Sequence, residues 1–426
     1  MSFQNPGKRG YQQADRCYKL TLGRRERRPA QGGALLFIFG CYNLLFMKRL
    51  QKVIAGIAIV IAVLFITAKI RGDGYLFKGL WACYLHGTKS ASIDDARFFN
   101  THKIESAREI WEWPLHGNYN QLALPAKLQS LLSQTGSVAF LIVQNDSILS
   151  EHYWDSYSDS SQSNSFSMAK SITTMLAQIA IQKGILQGWH QKVKSILPDL
   201  TGPHAGELEL WHLSTMSSGL EWDEDYKNPW TVTAKAYYGD DVRQLMLTLP
   251  IADEPGKFYN YQSGSTQLLA LCLIQVSGKP LSELASEWLW KPMQAKHDAK
   301  WHTDEKGTEL AYCCFNSNAR DFARFGKLML HQGNWNGKQL LDTSFVQMAT
   351  TGALVPYYGY SFWLDNSAGT KVFFQWGFLG QYIITIPEYN LVIVRLGNDC
   401  LPDGSDHLSE DFHIIVQEVL KMVKAH

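Results

Sequence analysis

Residues 165–184 read SFSMAKSITTMLAQIAIQKG. Apolar Ile172, Met175, Leu176, Ile179 and Ala180 recur at three- and four-residue steps, which predicts a helix from Ser167 to Lys183 that stops at Gly184. Ser167 and Lys170 share one face of its first turn, so the amine can reach the hydroxyl. A serine hydroxyl is a poor nucleophile until a neighbouring base takes its proton, and a desolvated lysine with a depressed pKa can be that base. The helix N-terminus also favours negative charge developing at the serine. No other Ser-x-x-Lys occurs in the 426 residues, yet a pattern with two fixed positions arises by chance about once or twice in a chain of this length. Alone it reads as an ordinary surface helix start, and the surrounding sequence must decide.

Upstream, VAFLIVQ from Val138, a turn at Asn145-Asp146 and ILSEHYW to Trp154 give two β-rich runs around turn chemistry, a hairpin signal. Downstream, Leu208–Leu220, Gln267–Val276, Leu281–Trp290 and Ala319–Leu330 are helical candidates. GYSFWLD, KVFFQ, GQYIITIP and NLVIVRL then form four short β-rich runs, followed by an amphipathic helix from His407 to Lys424. A strand pair, a helical middle, a strand meander and a terminal helix predict an α+β fold: an antiparallel sheet flanked by helices, with a mostly helical subdomain. The main domain is expected over residues 126–426.

The phrase PGKFYNYQSG (residues 255–264), read with Ser167 and Lys170, resembles the second motif of the serine β-lactamase-like, penicillin-recognising superfamily. The resemblance covers roughly the last three hundred residues and is closest to the class C β-lactamase and esterase branch. It includes the opening hairpin, the nucleophile helix, LELWHLSTMSSGLEW, ARDFARFGKLMLHQGNWNGKQLL and WGFLGQYIITIPEYNLVIVRLGN. It implies Ser167 as nucleophile, Lys170 as base and Tyr261 as proton shuttle, with Tyr259 a competitor at the wrong distance from Pro255-Gly256. It also implies an oxyanion hole from the backbone N–H groups of Ser167 and Phe378, and a pocket drawing on Ser263, Gln375, Trp376, Gly377, Trp222 and Tyr226. The third motif departs from the family, because Gln375-Trp376-Gly377 stands where a Lys or His, a small residue and Gly are usual. Gly377-Phe-Leu-Gly380 offers a second register. Without that cation, neutral esters or amides are expected as substrates ahead of carboxylate-bearing β-lactams and D-alanyl peptides. A β-lactamase, a D,D-carboxypeptidase or a non-catalytic tethered binding module are the alternatives.

Composition sets outer bounds on these readings. Basic and acidic residues nearly cancel to +1, so nucleic acid is not an expected partner and a small molecule is. No HExxH occurs, no serine fits Gly-x-Ser-x-Gly, and the histidines are dispersed, so neither metal nor other cofactor is expected. His212 and His302 read as satisfied structural residues, and Asp321 with Arg320 and Arg324 as an ion pair on or between helices. The seven cysteines lack paired spacing, and adjacent Cys313 and Cys314 rarely bridge, so free thiols are expected.

The N-terminal region reads as a membrane element. VIAGIAIVIAVLFITA (residues 53–68) is uncharged and follows Lys48, Arg49 and Lys52, the pattern of a signal anchor. Residues 47–70 are therefore expected to be an inner-membrane anchor with the catalytic domain in the periplasm, and 71–125 a connecting arm. Residues 1–46 are expected to be a non-native or disordered extension, Met47 being the expected start.

Overall fold

The expected hairpin forms one edge of the larger sheet. In the computed structural model, which describes residues 32–88, 90–404 and 407–425, the chain divides at Thr67/Ala68. Before that point lies most of α1 (Gly32–Arg71), an unbroken helix. Its Phe46–Arg71 portion is the one helix among the described residues long and apolar enough to cross a membrane. At 1.5 Å per residue it is about 39 Å long, against a hydrocarbon core of about 30 Å. The candidate span thus extends beyond the sixteen uncharged residues, taking in Lys48, Arg49, Lys52, Lys69 and Arg71 at its two ends. The expected extension falls partly outside the described residues (1–31), while 32–46 continue the helix.

In the second unit, α2 (Tyr75–Ala82) leads to β1 (Asn100–Ile104), α3 (Ala126–Gln134), β2 (Ser137–Gln144), β3 (Ser147–Tyr153) and β4 (Ser163–Asn164). The helical middle follows: α4 (Met168–Gln182), α5 (Leu210–Ser214), α6 (Val232–Tyr238), α7 (Val242–Thr248), α8 (Ser263–Ser277) and α9 (Leu281–Ala285). Then come β5 (Ala299–Thr303), β6 (Phe315–Ser317), α10 (Ala319–Leu330), a small ribbon of β7 (Asn334–Trp335) and β8 (Lys338–Gln339), and α11 (Thr343–Ala349). The chain closes with β9 (Trp363–Asp365), β10 (Val372–Gly377), β11 (Gln381–Ile386), β12 (Leu391–Gly397) and α12 (Glu410–Lys424).

Six antiparallel strands in the order β3-β2-β12-β11-β10-β9 form the main sheet. Their apolar runs are nearly continuous because both faces are covered. Leu141, Val392, Val394, Ile383 and Phe373 face the core shared with α4 and α10, while Phe140, Ile142, Ile393, Ile384 and Phe374 face α3 and α12. Asn145 and Asp146 both adopt positive φ, as a two-residue hairpin turn demands. A Cβ on Gly326 of α10 would lie 2.4 Å from Val392 Cγ1, so glycine there lets helix and sheet meet closely.

A second antiparallel sheet, β1-β5-β6-β4, takes its edge strand β1 from the segment read as a connecting arm. The helix expected over Leu208–Leu220 stops at Ser214, and the chain turns through Met216 (φ 57°).

Candidate active site

The site begins where β4 delivers the chain to α4. Ser165 N–H donates to Phe315 O at 2.8 Å and Phe166 N–H to Asn164 Oδ1 at 2.9 Å, while Phe166 sits at φ 43°, a left-handed conformation that is strained for a bulky residue. Ser167 follows as the N-cap of α4 without using its side chain as a cap. Its hydroxyl is therefore not tied to the helix backbone. The helix itself is buried from Met168 to Ala180, and its polar residues are paired inward: Ser171 to Ser361 O, Thr173 to Ala311 O and Thr174 with Ser361 Oγ.

Lys170 is 1% exposed. Its Nζ donates to Ser167 Oγ at 2.9 Å, Ser263 Oγ at 3.0 Å and Tyr312 O at 3.2 Å. Burial pushes its pKa down to about 8, against the opposing pull of the Glu224 carboxylate. A base in contact with the serine is therefore neutral in a useful fraction of molecules near neutral pH.

Ser263, at the start of α8, connects Lys170 to a residue the sequence reading missed. Glu224 accepts from Ser263 Oγ at 2.5 Å and Ser263 N–H at 2.7 Å, and also from Trp222 Nε1 at 2.6 Å and the Tyr226 hydroxyl at 2.5 Å. The carboxylate holds three side chains of the expected pocket in place. Tyr226 is exposed through its ring while its hydroxyl end turns to Glu224; burial of that end and the nearby carboxylate raise its pKa well above the ordinary value.

The Tyr261 ring lies 4.9 Å from Lys170 Nζ. Burial raises the Tyr261 pKa, outweighing the opposite effect of the Ser167 hydroxyl. The phenol therefore keeps its proton at neutral pH, whereas buried Lys170 is the neighbour that can lose one. Tyr259 packs on Tyr357 and Tyr358, with its hydroxyl buried and unpartnered among the described residues.

Gly377 ends β10 against the entry to the serine: a Cβ there would lie 2.2 Å from Ser165 O. This approach brings Phe378 beside the Ser165–Ser167 segment, its ring edge-on to Phe166 at 5.5 Å. Among the described residues, neither Ser167 N–H nor Phe378 N–H is donated to another protein group. The turn that carries Phe378 is fixed by two side chains without a sequence signal. Arg395, 1% exposed, donates to Leu379 O, Gly380 O, Thr135 O and Ser137 Oγ, and Gln381 Nε2 donates to Phe378 O, Leu379 O and Gly397 O.

A cavity of about 360 Å³ opens beside Ser167, with Phe166, Tyr226, Ser263 and Phe378 among its walls. Trp222 stands behind Glu224 and outside this lining. Gln375 is buried, its Oε1 without a partner among the described residues, and is also outside it. Trp376 points to the other side of the sheet, where it stacks on Tyr382 at 6.1 Å and meets Trp363 at 5.1 Å.

Several expectations need correction. Cys313 and Cys314 form a disulfide with Cα atoms 3.7 Å apart, accommodated by Cys314 at φ 74°, and Cys313 lines the cavity. Cys83, Cys272 and Cys400 are free thiols; Cys17 and the Cys41 side chain lie outside the described residues. Asp321 and Arg324 form an ion pair that is 1% exposed on each side, whereas Arg320 pairs with Glu151 and Asp159. His212 is satisfied, accepting from Glu209 N–H in a capping box. His302 is structural but not satisfied: it stacks on Phe99 at 4.8 Å with both ring nitrogens buried and unpartnered among the described residues, and burial pushes its pKa down to about 3. Among the described residues, no cluster of three or more His, Cys, Asp or Glu is arranged to hold a metal ion.

Comparison with known proteins agrees with this architecture. The 6-aminohexanoate-dimer hydrolase of Paenarthrobacter ureafaciens is 26% identical over 239 residues, spanning 53% of this chain and 60% of that enzyme's own length. Among solved structures, a Bacillus anthracis protein carrying the provisional description 6-aminohexanoate-dimer hydrolase matches with a TM-score of 0.67 at 22% identity, covering 81% of this chain and 96% of that one. A class C β-lactamase variant matches with a TM-score of 0.50 at 16% identity, covering 69% and 96%. At these identities the two structures speak for the fold. The Beta-lactamase family model matches residues 126–415, well over half of the sequence, and the chain belongs to that family.

Proposed function

We propose that this protein is a serine hydrolase of esters or amides, tethered to the inner membrane by residues 46–71 with its catalytic domain in the periplasm. The observation that carries the reading is Lys170 Nζ at 2.9 Å from Ser167 Oγ, fully buried and titrating at about 8. In this reading Ser167 Oγ attacks the substrate carbonyl carbon while neutral Lys170 takes its proton. The Ser167 and Phe378 N–H groups receive the developing oxyanion. The carbonyl's bond to the leaving group then breaks, and the proton returns to that group from Lys170 through Tyr261. Water then attacks the acyl carbon, giving a proton to the same base, and the bond to Ser167 Oγ breaks as Lys170 returns that proton to it, releasing the acid.

The related hydrolase named for the 6-aminohexanoate dimer supports amide or ester chemistry over a non-catalytic binding role. The neutral, buried Gln375 supports esters and amides over carboxylate-bearing β-lactams. The Cys313–Cys314 disulfide supports an oxidising compartment. Intact-mass analysis of the protein after exposure to a fluorophosphonate, a penicillin and simple esters tests the assignment. A stoichiometric fluorophosphonate adduct that Ser167→Ala abolishes is expected; full labelling of that variant refutes the nucleophile, and rapid penicillin turnover refutes the substrate preference.

A further inference from the structure

We infer that the cavity beside Ser167 binds the alkyl chain of a fatty-acyl ester or amide drawn from a lipid bilayer. This rests on Ser167 being the acylated residue and names the substrate class of that same site. The cavity runs from Ser167 to α2, with Leu76 and Gly79 of α2 and Ala234 of α6 among its walls. Three of the six tyrosines that line it turn their hydroxyls to other partners: Tyr237 donates to Asp95 Oδ2 at 2.5 Å, Tyr226 to Glu224, and the Tyr238 hydroxyl pairs with Cys83 Sγ at 3.0 Å. Most of what faces the space is ring and alkyl surface, which holds a chain by area, with Asp225, Lys227 and Asn228 as the charged and amide groups among its walls. Its volume of about 360 Å³ equals roughly a dozen water-sized volumes, room for a straight chain of about ten carbons.

The position of α2 supplies the source of the chain. Gly72, Asp73 and Gly74 alone separate Arg71, the last residue of the candidate membrane span, from Tyr75, the first of α2. Three residues reach about 10 Å, and Lys69 is further tied to Asp240 by an ion pair at 2.5 Å. A wall of the cavity therefore begins within one short link of the bilayer. On the outside of that wall Leu80, Trp81, Tyr84 and Leu85 are exposed, Leu85 by 71%, and Trp230 across the mouth by 69%. Leu80, Tyr84 and Trp230 also line the cavity. Exposed Trp and Tyr beside aliphatic residues suit the boundary between headgroups and acyl chains.

The test uses the full chain in lipid nanodiscs and p-nitrophenyl esters from acetate to decanoate. Turnover as kcat/KM should rise roughly fourfold per added methylene and level off near ten carbons. Ala234→Phe and Leu76→Trp, which narrow the cavity, should flatten that rise when each ester is read relative to the same variant's acetate rate; a slope unchanged in both variants would reflect partition into the nanodisc and overturn the inference. A flat series in the unaltered protein, with acetate hydrolysed and Ser167 labelled, would also overturn it while leaving the hydrolase reading intact. Absence of labelling and of all turnover would instead bring down that reading. For the bilayer source, a Trp81→Glu, Leu85→Glu double variant should keep butyrate turnover and lose at least tenfold on decanoate presented in the nanodisc; equal decanoate rates would refute loading from the membrane.

Discussion

Replacing Glu224 by glutamine changes one charge and almost no volume, and it acts on the base and the pocket at once. The carboxylate opposes the burial that lowers the Lys170 pKa, so its loss should let that pKa fall further. A lysine titrating at about 8 is neutral in roughly one molecule in ten at pH 7. The acid limb of kcat/KM, which rises as Lys170 loses its proton, should therefore move to lower pH in Glu224→Gln. At pH 7 the rate relative to the variant's own alkaline plateau can gain at most about tenfold. The plateau itself should drop, because the four donors on Glu224 would meet an amide with a single acceptor oxygen. Two buried donors left facing an NH2 group cost about 2 to 4 kcal/mol together. The assay is kcat/KM for p-nitrophenyl butyrate across the neutral and alkaline range, with urea unfolding of the same samples. A limb that stays in place or moves upward would refute the coupling of Glu224 to the base.

Lys170→Met should abolish acylation yet stabilise the protein: holding a lysine at about 8 that titrates at 10.5 when solvated costs about 3 kcal/mol below pH 8. That penalty fades between pH 8 and 10.5 as the free amine deprotonates, so the gain in unfolding free energy should shrink over that window; a gain independent of pH would count against a buried charged lysine. Tyr261→Phe should lower kcat by about 10² to 10⁴, whereas Tyr259→Phe, which removes an unpartnered hydroxyl, should leave kcat unchanged and stability equal or higher, and steady-state kinetics of the pair will show whether the register is right. Gly377→Ala should force β10 away from Ser165 O and misplace the Phe378 N–H, costing about 10² to 10³ in kcat with little change in KM; normal turnover would remove Phe378 from the oxyanion site.

How much of this was legible in the sequence follows from how local each feature is. The hairpin of β2 and β3, helices α4 and α10, and the meander from β9 to β12 are carried by periodicity and turn residues a few positions apart, and these signals survive folding. Ser167 and Lys170 share a helical turn, so their contact was readable from spacing. Glu224 was not, because it lies in the aperiodic run between Leu220 and Thr231, where an acidic residue reads as solvated surface until α8 is folded against it. The same holds for β1, which belongs to a sheet only through pairing with β5 nearly two hundred residues later. Trp376 was misread for a simpler reason: alternation along β10 sends it to the face opposite Phe373, toward Tyr382.

The candidate site is assembled from chain segments far apart in sequence. Lys170 alone bonds to groups 93 and 142 residues away in sequence, and Phe378 arrives from farther still. Closing loops of that size before any contact rewards them is slow. Helices and the edge hairpin can therefore form before Lys170 meets Ser263 and Tyr312, and, with Ser167 as the proposed nucleophile, its covalent labelling would serve as a clock for the last contacts to form.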